Sequence, residues 1–376
     1  MLNKNNKNEY LIFFSPCEFT KGFSKALISD IQRGQLTSVN SDVYDFVKAS
    51  HKKNIHEIVQ EYNTDSEDFV ESYINYFLEN DFAFIGSFDD TKMFMDIPLH
   101  FESPSHITTV VIEHSENNFE QIETILKQID SVLTPTVQYV SFEEIMTIEQ
   151  IMHLNKLFSS CTNIAAISFV LKYHDGLEFE KLPQVLKTGE FFELIIHSAP
   201  SNFNHENYII YIDEKISSNS QCGNISEDTF SVNMPHFTES QKFNTCLNRK
   251  ISIDKKGNVK NCLSMETVYG SIFEDDIKNI IKAKSFQILW HINKDSIEVC
   301  KDCEFRLVCT DCRCFIKDPQ NIHSQPSKCF YNPYIAKWKG EEGYVSIEDC
   351  GSYSKESGFT PNHKKIAEIN KQLWES

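Results

Sequence analysis

Glycine is scarce in this chain, 12 of 376 residues and never two in a row. No Gly-x-Gly-x-x-Gly, Walker loop, His-Glu-x-x-His or Gly-x-Ser-x-Gly motif occurs, so no phosphate cradle, zinc-protease helix or nucleophile elbow is available. Long apolar runs are missing too. A membrane span takes roughly 18 or more consecutive apolar residues, and the best stretches, 164–171 and 191–196, fall far short. The N-terminus offers Lys4 and Lys7, then only residues 10–14 before Pro16, too little for the ~7–15 apolar residues of a signal-peptide core. The chain therefore reads as cytoplasmic, with no membrane partner. Positive charge is the third deficit: Lys and Arg number 36 against 54 Asp and Glu, a net charge of −18. Such acidity excludes nucleic acid as the expected partner, because phosphates are neutralised by Lys and Arg.

What is present is a globular composition, 40% apolar and 12% aromatic, with length enough for two or three domains. The first part, 1–95, reads as two short strands at 10–14 and 25–31. Three helices follow, started at Asn40 or Ser41, at Asn54 and at Asp65, a strand pair plus helices that suggests a winged helix. From 107 onward, strands alternate with helices: strands at 107–113, 137–142, 164–171, 191–196 and 208–212, and helices at 119–129, 148–158 and 182–186, the last opened by Pro183. This is the parallel βαβ signature, with about three units, enough for a partial (β/α) barrel. Residues 219–244 read as a polar linker. Beyond it, 250–254 and 259–262 flank Lys255-Lys256-Gly257-Asn258 as a hairpin, and Asp275 or Asp276 caps a helix running to Trp290. One more short helix is expected after Pro361.

The 12 cysteines are lopsided: Cys17 and Cys161 precede residue 200, and the other ten follow it. In a reducing compartment clustered cysteines are metal ligands more often than disulfides. The spacing is Cys246-x10-Gly257-x4-Cys262, then Cys300-x2-Cys303-x5-Cys309-x2-Cys312-x-Cys314, then Cys329. A zinc ribbon wants two knuckles separated by roughly 15–20 residues, so zinc is geometrically awkward, whereas cubane clusters draw several thiolates from one tight run and close the set with a remote one. Cys17, Cys161, His114 and His153 read as packing residues.

This pattern, with Cys329-Phe330-Tyr331-Asn332-Pro333 at its end, resembles the SPASM domain of peptide-modifying radical SAM proteins. The resemblance implies two auxiliary [4Fe–4S] clusters. The first would use Cys246, Cys262, Cys312 and the upstream Cys222; the second would use Cys300, Cys303, Cys309 and Cys329, with Arg306 donating to a cluster sulfide. The radical SAM Cys-x3-Cys-x2-Cys is absent, since the first barrel strand is followed by His114-Ser115-Glu116-Asn117-Asn118. The chain thus resembles the SPASM peptide maturases that accompany an ATP-grasp ligase and a short ribosomal precursor peptide. That implies an accessory maturation protein, with no S-adenosylmethionine, rather than a radical catalyst. The expected parts are a leader-peptide recognition domain at 1–95, a degenerate radical SAM partial barrel at 96–240, a SPASM domain at 241–340 and a tail at 341–376. The resemblance also implies that the leader adds as a strand in a groove between residues 25–31 and the helix at 65–80. An active iron–sulfur enzyme doing redox or Lewis-acid chemistry, or a zinc-stabilised scaffold, are the alternatives.

Overall fold

The computed structural model describes residues 8–62, 67–177, 179, 182, 191–354 and 357–374. Near the N-terminus, β1 (Tyr10–Phe13) pairs with β5 (Lys53–Asn54) and β6 (Ala83–Gly86). A second sheet holds β2 (Cys17–Lys21), β3 (Lys25–Asp30) and β4 (Gln35–Asn40) in the order β2-β3-β4. The two strands expected as a pair therefore lie in different sheets, because the unpredicted β2 intervenes and takes β3 as its partner. The groove expected over residues 25–31 is corrected for the same reason. β3 has neighbours on both sides, so its backbone groups are spent and an added strand must use an outer strand of the sheet, β2 or β4.

Three helices complete this unit: α1 (Ser41–Ser50), α2 (Ile55–Glu61) and α3 (Glu67–Glu79). Asn54 caps α2 by accepting from the His56 amide at 2.9 Å, the carboxamide filling an orphan donor position. Asp65, the expected cap of α3, lies outside the described residues. Leu11, Phe46, Ile58, Ile74 and Phe77 are buried together in one core.

The middle of the chain builds one nine-stranded sheet. Its parallel part comprises β7 (Thr109–Glu113), β8 (Thr136–Val140), β9 (Ala166–Lys172), β10 (Phe191–His197) and β12 (Ile209–Tyr211), side by side in chain order. β11 (Phe203–His205) edges it antiparallel to β12. The order never reverses, so right-handed crossovers put successive helices on one face. Apolar residues on the helices Ile122–Asp130 and Ile148–Ser159 meet the sheet in the largest core, which includes Tyr139, Phe158 and Phe169. The opposite face carries a smaller set, Val111, Val140, Phe142 and Val170. The helix expected at 182–186 falls mostly outside the described residues.

The predicted hairpin exists as β13 (Lys250–Ile253) and β14 (Asn258–Lys260), with Gly257 at φ 79° as the turn requires. β13 pairs parallel with β7, and β15 (Gly270–Ser271) extends the sheet beyond β14. Three strands placed after residue 240 thus belong to the same sheet as the βαβ units, and position 240 is no break in it. The helix expected to reach Trp290 is shorter. It runs over Ile277–Lys282, capped by Asp276, and breaks at Ala283, whose extended backbone turns Phe286 and Trp290 into the core.

The expected linker at 219–244 is corrected as well. It contains the helix Met234–Ser240, Ile225 bridges to Cys329, and Phe230 stacks on Phe305 with centroids 4.9 Å apart. Ile225, Phe230 and Phe237 supply the apolar anchors that its polar composition concealed. The tail adds the helix His363–Trp374, whose Asn370 donates to Ser24 Oγ at 3.0 Å. No helix among the described residues is long and apolar enough to cross a membrane.

Phe158 is fully buried with its ring centroid 6.4 Å from Tyr139 and 6.2 Å from Phe169. Phe158→Ala is expected to destabilise the protein by about 3–5 kcal/mol. On the same helix, exposed Met152→Ala should stay within about 0.5 kcal/mol. Urea unfolding of both variants checks this.

Candidate metal centre

All 12 cysteines are free thiols, and eight of them fall into two groups held by different parts of the fold. Cys246 precedes β13, with its amide donating to Asn244 Oδ1 at 3.0 Å, and Cys262 follows β14, so the hairpin fixes both ends of the pair. Cys222 comes from the segment before β13 and Cys312 from the cysteine-rich loop. These four line one cavity together with Lys250 and Cys314. Gly223 keeps the approach open: at φ 82°, a Cβ there would lie 3.0 Å from Cys312 Sγ. Asn219 Nδ2 donates to Cys262 Sγ at 3.4 Å.

The second group stands on consecutive single turns. Cys300 opens the turn Cys300–Asp302, Cys303 precedes the turn Glu304–Leu307, and Cys309 follows it. Val299 enters this run at φ 66°, a left-handed conformation that costs a β-branched residue energy. Cys329 returns beside Ile225 to close the set. Cys300, Cys303, Cys309 and Cys329 line a second cavity with Lys294, Arg306 and Tyr331. Each cavity is thus lined by four of the cysteines that the SPASM resemblance implies as ligands, Cys222, Cys246, Cys262 and Cys312 at the first and Cys300, Cys303, Cys309 and Cys329 at the second.

Burial disfavours the charged form of these thiols. Cys246 is pushed up to about 12, and Cys222, Cys300 and Cys309 to about 11, by desolvation first. Lys294 opposes that rise at Cys300 and Cys309. A metal core supplies the positive charge that would let such thiols ionise. Cys314, pushed up to about 12 by burial, donates to Ser264 O at 3.2 Å and is a fifth thiol at the first cavity.

A single zinc ion at ~2.3 Å from each sulfur draws its thiolates to within ~4 Å of one another. Among the described residues no group of three or more His, Cys, Asp or Glu side chains is gathered for one ion. Thiolates are the donors that zinc and iron–sulfur clusters share, and a cluster held by these residues would supply one-electron transfer.

Arg306 lines the second cavity, but its Nε donates to Asp295 at 2.9 Å and its Nη1 to Lys21 O at 2.6 Å and Cys303 O at 3.0 Å. It ties the N-terminal unit to the cysteine loop. At the same seam the Phe23 amide donates to Asp302 O at 2.8 Å, and a Cβ on Gly22 would meet the Glu304 amide nitrogen at 2.7 Å.

His114, at the end of β7, is buried against Tyr139, with Nδ1 and the phenol 2.9 Å apart, and is lowered to about 4 by desolvation. The turn after it is closed by polar side chains. Ser115 Oγ accepts from the Asn118 amide and donates to Lys255 O, and buried Asn118 donates to Glu113 O and Asp254 O at 2.8 and 2.9 Å. Cys17 is buried, as expected for a packed thiol, and Cys161 is partly buried.

A family model described as an iron–sulfur cluster-binding domain, SPASM, matches residues 245–304. The match takes in Cys246, Cys262, Cys300 and Cys303. No curated protein matches the sequence. Among solved structures, BtrN in complex with AdoMet and 2-DOIA is 11% identical over 55% of this chain and 94% of its own, with a TM-score of 0.33. SuiB of Streptococcus suis bound to S-adenosylmethionine is 10% identical over 84% of this chain and 99% of its own, TM-score 0.28. SuiB bound to the precursor peptide SuiA is 9% identical over 81% and 96%, TM-score 0.26. Likenesses this distant carry no argument about this chain.

On the helix between the two cavities, Glu239 is raised to about 7 by burial, against the Asn248 amide at 2.7 Å and Arg249. A carboxyl raised on folding holds its proton longer in the folded than in the unfolded state, so it favours folding at low pH. That contribution is lost as pH rises from about 4.5 toward 7. Glu239→Gln should flatten this part of the stability profile, read from urea midpoints between pH 4.5 and 7.5.

Proposed function

We propose that this chain is a SPASM-type maturation protein that binds two [4Fe–4S] clusters and a ribosomal precursor peptide and acts with an ATP-grasp ligase. The observation that supports it most is that eight cysteines line two cavities in the groups the SPASM resemblance implies, with Cys314 a further thiol at the first. Cys222, Cys246, Cys262 and Cys312 hold the first cluster, and Cys300, Cys303, Cys309 and Cys329 the second.

The leader peptide adds to β4 of the N-terminal winged-helix-like unit, which is anchored to the second quartet through Arg306 and Phe23. The nine-stranded sheet is a degenerate radical SAM partial barrel. Radical chemistry lies outside this chain, because the turn after β7 offers no thiol and its backbone is held by Ser115 and Asn118. The nucleotide is bound by the ligase, consistent with the absence of a glycine-rich loop.

A second reading, an enzyme using the first cluster for redox or Lewis-acid chemistry, draws on one feature. Cys222 is exposed while Cys262 and Cys312 are buried, and Cys314 adds a fifth thiol for four places. Exchange at that corner would open an iron to a substrate atom.

Anaerobically purified protein is expected to contain about eight irons and eight sulfides per chain, with a broad optical band that dithionite bleaches. Cys246→Ala and Cys309→Ala should each remove about half the iron. Stoichiometric zinc without sulfide from iron-replete anaerobic growth would retire the cluster reading, and stoichiometric S-adenosylmethionine binding by calorimetry would retire the accessory one.

A further inference from the structure

We propose that Lys294 sets the reduction potential of the second four-thiol site and Lys250 that of the first, each by fixing a positive charge against buried ligand sulfurs. The inference rests on the two-cluster reading and goes beyond it by assigning roles to residues outside the cysteine pattern.

Lysine is almost never buried without a partner, yet Lys294 is only 4% exposed. Its carboxylate neighbour is Asp311, 3.7 Å away. That carboxylate is already engaged: Arg313 donates to it through Nη2 at 2.7 Å and Nε at 3.1 Å, and Asn244 Nδ2 donates at 2.6 Å. Arg313, with 5% exposure, and Lys294 together bring two buried cations against one buried anion. One positive charge is left over inside the protein. An uncompensated ammonium in such a place is strongly unfavourable, so the surrounding cavity has to supply negative charge.

The groups that can do so are the thiols. Lys294 lines the second cavity with Cys300, Cys303, Cys309 and Cys329, and it faces Cys309, Cys300 and Cys329 alongside Asp311. Four thiolates around a cubane leave the oxidised site net negative, and reduction adds one more electron to it. A fixed ammonium at this position stabilises the reduced site more than the oxidised one and raises its potential. At the first cavity the lysine is only partly buried. Lys250, the first residue of β13, lines it and faces Cys246, Cys262, Cys222 and Cys312. Sequence spacing could not show this, because Lys294 lies six residues before Cys300 and Lys250 four after Cys246, outside any ligand motif.

The test uses full-length, iron-loaded protein titrated with dithionite and followed by electron paramagnetic resonance. With Lys294→Met, the reduced-to-oxidised ratio of one cluster at a fixed potential should fall by about tenfold, a midpoint about 59 mV lower for a one-electron couple. The other cluster should stay put, and Lys250→Met should shift that other one instead. Exposed Lys301→Met, between two ligands of the second quartet, makes the same charge change in solvent and should move neither by more than about twofold. A Lys294→Met midpoint within about twofold of the wild type, or a Lys301→Met shift as large, overturns the proposal. If Lys294→Met fails to load iron, Lys294→Arg decides. Loading with a wild-type midpoint supports the charge role, and failure to load makes the position steric and overturns it. Zinc without sulfide in the wild type overturns the two-cluster reading and this inference together, whereas unmoved midpoints in iron-loaded protein overturn the inference alone.

Discussion

Burying thiols around a cavity is unfavourable for their ionised form unless positive charge enters with them, and the C-terminal half of the chain meets that constraint twice. Burial raises Cys246 and Cys300 in the same direction for the same reason. In each cavity a lysine ammonium stands among the sulfurs. The segment 309–313 joins the two sites: Cys309 faces the second cavity and Cys312 the first, while Asp311 and Arg313 between them form a buried ion pair with both side chains 1% exposed. Such a pair contributes little net stability once desolvation is counted. Its geometric effect is larger, because it fixes the direction in which two consecutive ligand-bearing stretches leave the loop.

The hairpin of β13 and β14 carries the same constraint into the sheet. Cys246 and Cys262 flank it, and β13 is hydrogen-bonded to β7 over four residues. The first quartet is consequently mounted on the parallel sheet, while the second is mounted on loops that pack against β2 and β3. Displacing either element would separate thiols that must remain near one another, so the positions of the two sites depend on two different cores.

Much of this was legible in residue types alone. The alternation of β-branched strands with amphipathic helices gave the parallel sheet, Gly257 marked its hairpin, and the cysteine run marked the region that lines both cavities. What was hidden depended on partners distant in sequence. Nothing local tells β2 that it pairs with β3 or leaves β3 without a free edge. Residues 219–244 look like a linker by composition, and only their contacts with Phe305 and Cys329 make them part of the second site. The helix toward Trp290 kept its periodicity across Ala283, yet the break is needed to turn Phe286 and Trp290 inward. Lys250 and Lys294 were invisible because a lysine in a sequence carries no sign that it lines a cavity of cysteines.

The turn after β7 shows how a thiol-free sequence is accommodated at a strand end. Glu113 O and Asp254 O are carbonyls at the ends of neighbouring parallel strands, where backbone acceptors need partners. Asn118 supplies both with one carboxamide, and Ser115 supplies Lys255 O while capping the helix Glu116–Glu120. Two short polar side chains thus close this end of the sheet between β7 and β13 without any cofactor. Ser115→Cys or Asn118→Cys would leave those carbonyls unpaired. That loss costs about 1–3 kcal/mol for each buried acceptor, so either substitution is expected to destabilise the strand end. The chemistry of this strand end is therefore tied to the fold of the neighbouring hairpin, on which the first quartet depends.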